Sequence, residues 1–151
     1  MVERFERFSL AISEISRHWH KLTAEEMEKY GLKGTHSVYL LTMLRCPDGI
    51  TAPQLGELCG KDKADVSRMM AIMEQKGLVT KEGIYQNRYG GVFKLTPEGM
   101  EAAQHVRQRA SLAVELAGKD LTEESRAIFY DALESITANL RTLSKEGLPQ
   151  S

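Results

Sequence analysis

The stretch Ile50-Thr-Ala-Pro-Gln-Leu-Gly-Glu-Leu-Cys-Gly-Lys-Asp-Lys-Ala-Asp-Val-Ser-Arg-Met-Met-Ala-Ile-Met-Glu-Gln-Lys-Gly-Leu-Val79 decides the fold. It reads as two helices joined by a tight turn and running into a strand. Thr51 is a good N-cap, Pro53 falls in the first turn, and Gln54 stands three residues after the cap, which is the capping-box spacing. Leu55 and Leu58 give this short helix an apolar face, and Cys59-Gly60 ends it. A second helix starts near Asp62, whose carboxylate can accept from free backbone N–H groups at the positive end of the helix dipole. Val66, Met69, Met70 and Met73 then repeat at helical spacing and form one inward stripe.

The other face of that second helix carries Lys63, Ala64, Ser67 and Arg68 toward its N-terminal end. This is the end a recognition helix inserts into the major groove. Small residues let the backbone approach the bases, while a cation and a hydroxyl reach phosphates or base edges. Thr51 and Gln54 would position the first helix on the DNA backbone.

A hairpin follows. Gly77 supplies the helix stop, Leu78 to Lys81 reads as a strand, and Val92 to Leu95 reads as its return. The polar segment between them, Glu82 to Gly91, contains three glycines and carries Arg88 flanked by Asn87 and Tyr89. A basic, aromatic tip of this kind suits an arm along the minor groove, where Arg meets strong negative potential.

The pattern Leu55…Leu58…Asp62-Lys-Ala-Asp-Val-Ser-Arg68…Glu74-Gln-Lys-Gly-Leu-Val79…Leu95-Thr-Pro-Glu-Gly99 resembles the MarR family of bacterial winged-helix transcription regulators. The resemblance extends over nearly the whole chain, because the flanking helices also follow that family's layout. It implies a homodimer on a pseudo-palindromic promoter site, and many members release DNA when a small ligand binds. One departure stands out. The family's wing usually carries Asp and Arg two apart, where this chain has Asn87 and Tyr89 with the cation between them at Arg88. The usual internal ion pair of the wing is therefore missing.

The flanks read as long amphipathic helices. Phe5, Phe8, Ile12, Ile15, Trp19 and Leu22 are spaced 3, 4, 3, 4, 3, an a/d seam along the first helix. Thr96 caps a helix that has Pro97 at its first position and runs to about Ala117 before Gly118. Thr122 caps the last helix, with Glu123 and Glu124 in its first turn and Ile128, Phe129, Ala132, Leu133, Ile136, Leu140 and Leu143 along one face. Faces this long call for a partner surface, either each other within one protomer or, as favoured here, a second copy. The expected fold is mainly α with a small β-wing (α+β), a winged helix-turn-helix whose terminal helices form a dimerisation layer. Residues 1–34 and 97–146 make the helical dimerisation region, 35–96 the DNA-binding region and 147–151 a loose tail.

Composition bounds the alternatives. The chain has 151 residues and a formal net charge of −1, so it is one domain's length and no polycation. Residues 61–94 nevertheless hold seven cations against four anions, which leaves the basic surplus on the expected reading head. Two cysteines, Cys46 and Cys59, form neither a disulfide framework nor a zinc pattern. The charged N-terminus lacks a signal-peptide core and no apolar run approaches a membrane span, so a cytoplasmic protein away from membranes is expected. No nucleophile–base pair, phosphate loop or cofactor motif is present, so neither an enzyme nor a bound cofactor is expected.

Three further possibilities carry residue-level expectations. A crevice between dimerisation layer and reading head would bring Trp19, His20, Tyr39 and Met43 near a flat aromatic or phenolic effector. A metal-responsive repressor would draw on His18, His20, His36 and Cys46 or Cys59, although His18 and His20 point in different directions on a helix. A winged helix used for protein–protein contact is the stronger competitor, because fold does not fix function. Its reading head would be apolar or acidic, whereas this one is polar and mildly basic.

Overall fold

The structure, a computed structural model, describes residues 3–83 and 91–150. Among the described residues, six helices and three short strands follow in the order α1 (Arg4–Glu28), a 3-10 turn (Gly34–His36), α2 (Ser37–Leu44), β1 (Ile50–Thr51), α3 (Ala52–Cys59), α4 (Lys63–Gln75), β2 (Val79–Glu82), β3 (Val92–Leu95), α5 (Pro97–Ala117) and α6 (Glu123–Glu146). The chain divides into two compact units, one ending at Ser111 within α5 and one running from Leu112.

In the first unit the starts of α3, α4 and α5 are those the sequence predicts. Thr51 Oγ1 accepts from the Gln54 N–H at 3.3 Å while the Gln54 side-chain oxygen accepts from the Thr51 N–H at 3.1 Å, closing the capping box of α3. Asp62 caps α4 by accepting from the Asp65 N–H at 2.7 Å. Thr96 Oγ1 accepts from the Gly99 N–H at 3.0 Å and itself donates to the Gly77 carbonyl, tying the start of α5 to the end of α4. Each cap satisfies an N–H that a helix start would otherwise leave unpaired.

Two glycines make these junctions possible. Gly60 ends α3 at φ 65°, a left-handed conformation that a side chain disfavours, and this reversal sets the turn between α3 and α4. Gly99 packs α5 against Leu78 so closely that a Cβ there would lie 1.9 Å from the Leu78 carbonyl oxygen. Any side chain would push α5 off the sheet.

The small sheet has the order β1-β3-β2, with every pairing antiparallel. The hairpin is expected from sequence, and its second strand has the predicted limits. Its first strand starts one residue later than predicted, at Val79, and extends to Glu82. β1 is not legible in the sequence. It has two residues and exists through pairing of Ile50 with Phe93 and Thr51 with Val92.

The core gathers Met27 of α1, Tyr39, Leu40 and Met43 of α2, Leu55 of α3, the stripe Val66, Met69, Met70 and Met73 of α4, Val79 and Phe93 of the sheet, and Ala102, Ala103 and Val106 of α5. The α4 stripe is buried as its spacing predicts. Leu58 corrects the expectation for α3, since it is 59% exposed. The inward side of this short helix runs instead through Leu55 and Cys59, four residues apart. Cys59 meets α2 there, its thiol lying 3.5 Å from Thr42 Oγ1.

A charged cluster fastens α1 to α5. Glu26 accepts from Lys29 Nζ at 2.7 Å and Arg109 Nε at 2.9 Å, and lies 3.2 Å from His105 Nε2. The Lys29 and Arg109 bonds are the main reason its carboxyl is held down at about 2. The apolar seam on the preceding turns of α1 is solvent-facing, with Ile15 60% exposed and Phe5, Phe8, Ile12 and Leu22 also exposed.

In the second unit, Thr122 Oγ1 accepts from the Ser125 N–H at 3.1 Å and caps α6 as predicted. Arg126 reaches back to the end of α5, donating to the Gly118 carbonyl at 2.7 Å and pairing with Glu115 at 3.0 Å. No residue of α6 is buried. Ile128, Phe129, Ile136, Leu140 and Leu143 form an exposed apolar face along it.

Candidate nucleic-acid interface

The site is built on α4. Its four buried residues fix the rotation of the helix, and that rotation leaves Lys63, Ala64, Ser67 and Arg68 exposed together over the first turns. Asp62 caps the same end by accepting from the Asp65 N–H, and the positive dipole end lies beside Lys63. The Arg68 side chain is 69% exposed.

α3 lies against α4 and presents Thr51 and Gln54 at its start. Gln54 is exposed and Thr51 half-buried, and both are engaged in the capping box, which holds their side chains in defined positions. A groove of about 610 Å³ runs between α3, α4 and the sheet, with Pro53, Lys63, Ser67, Lys81 and Phe93 among its walls. Lys81 Nζ stands 5.3 Å from the centre of the Phe93 ring, which holds this cation at the groove's sheet side. Lys61 and Lys63 line the same groove, as do Glu57 and Glu74. Its charge is thus mixed, with three cations over two anions.

The wing-tip residues Asn87, Arg88 and Tyr89 lie outside the described residues. The four residues expected around an effector differ in placement. Tyr39 and Met43 are core residues, Trp19 is half-buried on α1, and His20 is exposed. None of them lines the groove beside α4. Among the described residues no three His, Cys, Asp or Glu side chains converge as a metal requires. His18 faces Glu14 on its own helix at 3.6 Å, far in character from a closed ligand set. Burial raises the Cys59 thiol, which disfavours the reactive thiolate.

Sequence reasoning missed Asp65. Its carboxylate stands in the first turn of α4, accepts from the Tyr39 hydroxyl at 2.5 Å, and lies 3.8 Å from Arg68. The Tyr39 bond is the first cause of its lowered pKa. Burial, reinforced by the same carboxylate, pushes the Tyr39 hydroxyl up. The Asp65/Arg68 spacing of three residues is a readable signal for a helix-surface pair. The link to Tyr39, across 26 residues, has no local signature.

A capped pair of helices with a turn at Gly60, an exposed polar face on the second helix and a three-stranded sheet after it defines a winged helix-turn-helix protein. Residues 30–85 match the model of the MarR family, and the resemblance drawn from the sequence is borne out. Solved structures agree in fold. A protein from Listeria monocytogenes described as a MarR family transcriptional regulator and crystallised with 26mer DNA is 21% identical, with a TM-score of 0.80 over 100% of this chain and 99% of that one. A MarR transcriptional regulator from Methanosarcina mazei is 22% identical, with a TM-score of 0.79 over 91% and 99% of the two chains. A MarR protein from Peptoclostridium difficile is 17% identical, with a TM-score of 0.82 over 94% of each.

Proposed function

We propose that this chain is a sequence-specific DNA-binding transcription regulator of MarR type, acting as a homodimer on a pseudo-palindromic promoter site. The observation that carries the reading is the exposed face of α4. Lys63, Ala64, Ser67 and Arg68 stand together at the capped, dipole-positive end of a helix whose opposite side is locked into the core. That is the composition and position of a major-groove reader. The similar Listeria protein, solved on DNA, supports the same role for the equivalent fold.

The dimer is supported by the apolar faces of α1 and α6. Each is exposed along most of its length, and soluble chains rarely leave such faces uncovered. Two-fold pairing would set the recognition helices one turn of DNA apart, so the operator is an inverted repeat. Among the described residues no helix is long and apolar enough to cross a membrane. The proposal stops at DNA and a second copy. The polar, mildly basic α4 face favours DNA over a protein partner.

A fluorescence-anisotropy titration tests the reading, using DNA from upstream of the protein's own gene, a scrambled duplex and several salt concentrations. Tighter binding to the native duplex, with affinity falling steeply as salt rises, is the expected result. Equal, weak binding to that duplex, to the scrambled one and to a genomic-fragment library would instead assign the winged helix to protein recognition.

A further inference from the structure

Tyr39 is fully buried. A buried hydroxyl needs a partner, and this one finds it on another helix, at Asp65 Oδ2 of α4. Asp65 Oδ1 faces Arg68 at 3.8 Å. One carboxylate oxygen therefore bonds to the core, while the other faces the exposed cation of α4.

Asp65 is not needed to cap α4, because Asp62 does so. An aspartate in a first turn does complement the helix dipole, but a carboxylate there also opposes the phosphates of DNA. A residue that carries such a cost and is fixed by a hydrogen bond from the core is suited to orienting its cationic neighbour. A free arginine samples many rotamers, and fixing it before binding lowers the ordering cost of the complex.

Building on the DNA-binding reading above, we infer that Tyr39 and Asp65 are positioning residues. Tyr39 anchors Asp65, and Asp65 aims the Arg68 guanidinium for a specific base contact. The pair acts on discrimination between sequences and leaves general attraction to phosphate to the lysines around the groove.

The test is a double-mutant cycle on the full-length protein, with affinities for the native and scrambled duplexes. Tyr39→Phe is expected to lower the native-to-scrambled preference by about two- to tenfold, the scale of coupling between contacting residues. In an Arg68→Ala background the same change is expected to cost almost nothing. Fold-losses that simply multiply overturn the inference. Asp65→Asn serves as the second variant, since it keeps an acceptor for Tyr39 while removing the charge, and it is expected to reproduce the loss.

A DNA-free measurement separates this inference from the DNA-binding reading. The Nε–Hε NMR signal of Arg68 in the free protein is expected to shift and broaden on Tyr39→Phe. An unchanged Arg68 signal overturns the positioning role whatever the titrations give. A parent protein without sequence preference overturns the DNA reading, while the NMR result still decides the relay.

Discussion

Arg109 on α5 places its Nε 2.9 Å from Glu26 Oε1 on α1, joining two helices 83 residues apart in sequence. Lys29 and His105 complete the ring of donors around that carboxylate. The seam-bearing first helix is thereby fastened to the helix that leaves the wing.

This cluster predicts an acid-sensitive contribution to stability. Glu26 is held at about 2 against an ordinary 4.5, so the folded state binds its proton less readily than the unfolded chain. Its contribution is fully present above 4.5 and is lost as pH falls from there toward 2. Glu26→Gln should lower Tm at pH 7 by about 2–4 °C, corresponding to roughly 1 kcal/mol for a solvent-accessible network. The gap between the two proteins should close in thermal melts below about pH 3.

Arg68→Ala separates base reading from phosphate contact. A loss of about 1–3 kcal/mol on the native duplex alone marks a base contact. Equal losses on native and scrambled duplexes, with a shallower salt dependence, would make Arg68 a phosphate contact. Anisotropy titrations at two salt concentrations distinguish these outcomes.

The cap of α4 should matter to both stability and binding. Asp62→Ala removes the acceptor for the Asp65 N–H and should cost about 1 kcal/mol, whereas Asp62→Asn retains an acceptor and should cost much less. Chemical denaturation of the three proteins side by side checks the ranking.

The apolar faces of α1 and α6 should be covered by a second copy. Ile15→Asp or Ile136→Asp places a charge on one of these faces, where both side chains are exposed in the single chain. Light scattering should give twice the 17.0 kDa chain mass for the parent and the single mass for each variant. A parent that runs at 17.0 kDa would remove the dimer from the proposed function.

Much of this molecule is written locally. The caps at Thr51, Asp62, Thr96 and Thr122 use bonds spanning three residues, so composition and spacing alone identify them. The stripe from Val66 to Met73 likewise fixes which face of α4 is buried, and hence that Lys63, Ala64, Ser67 and Arg68 share the opposite one. Periodicity carries that information because one turn of helix sets it.

Tertiary structure decided what depends on a distant neighbour. β1 is a strand only because Phe93 and Val92 pair with it, and Leu58 is exposed because α2 meets α3 along Leu55 and Cys59 instead. Tyr39 and Met43 become core through packing among distant helices. The bond from Tyr39 to Asp65 belongs to the same class. Sequence determined each helix and its faces through short-range geometry, whereas the packing of those faces determined which side chains became core, groove or anchor.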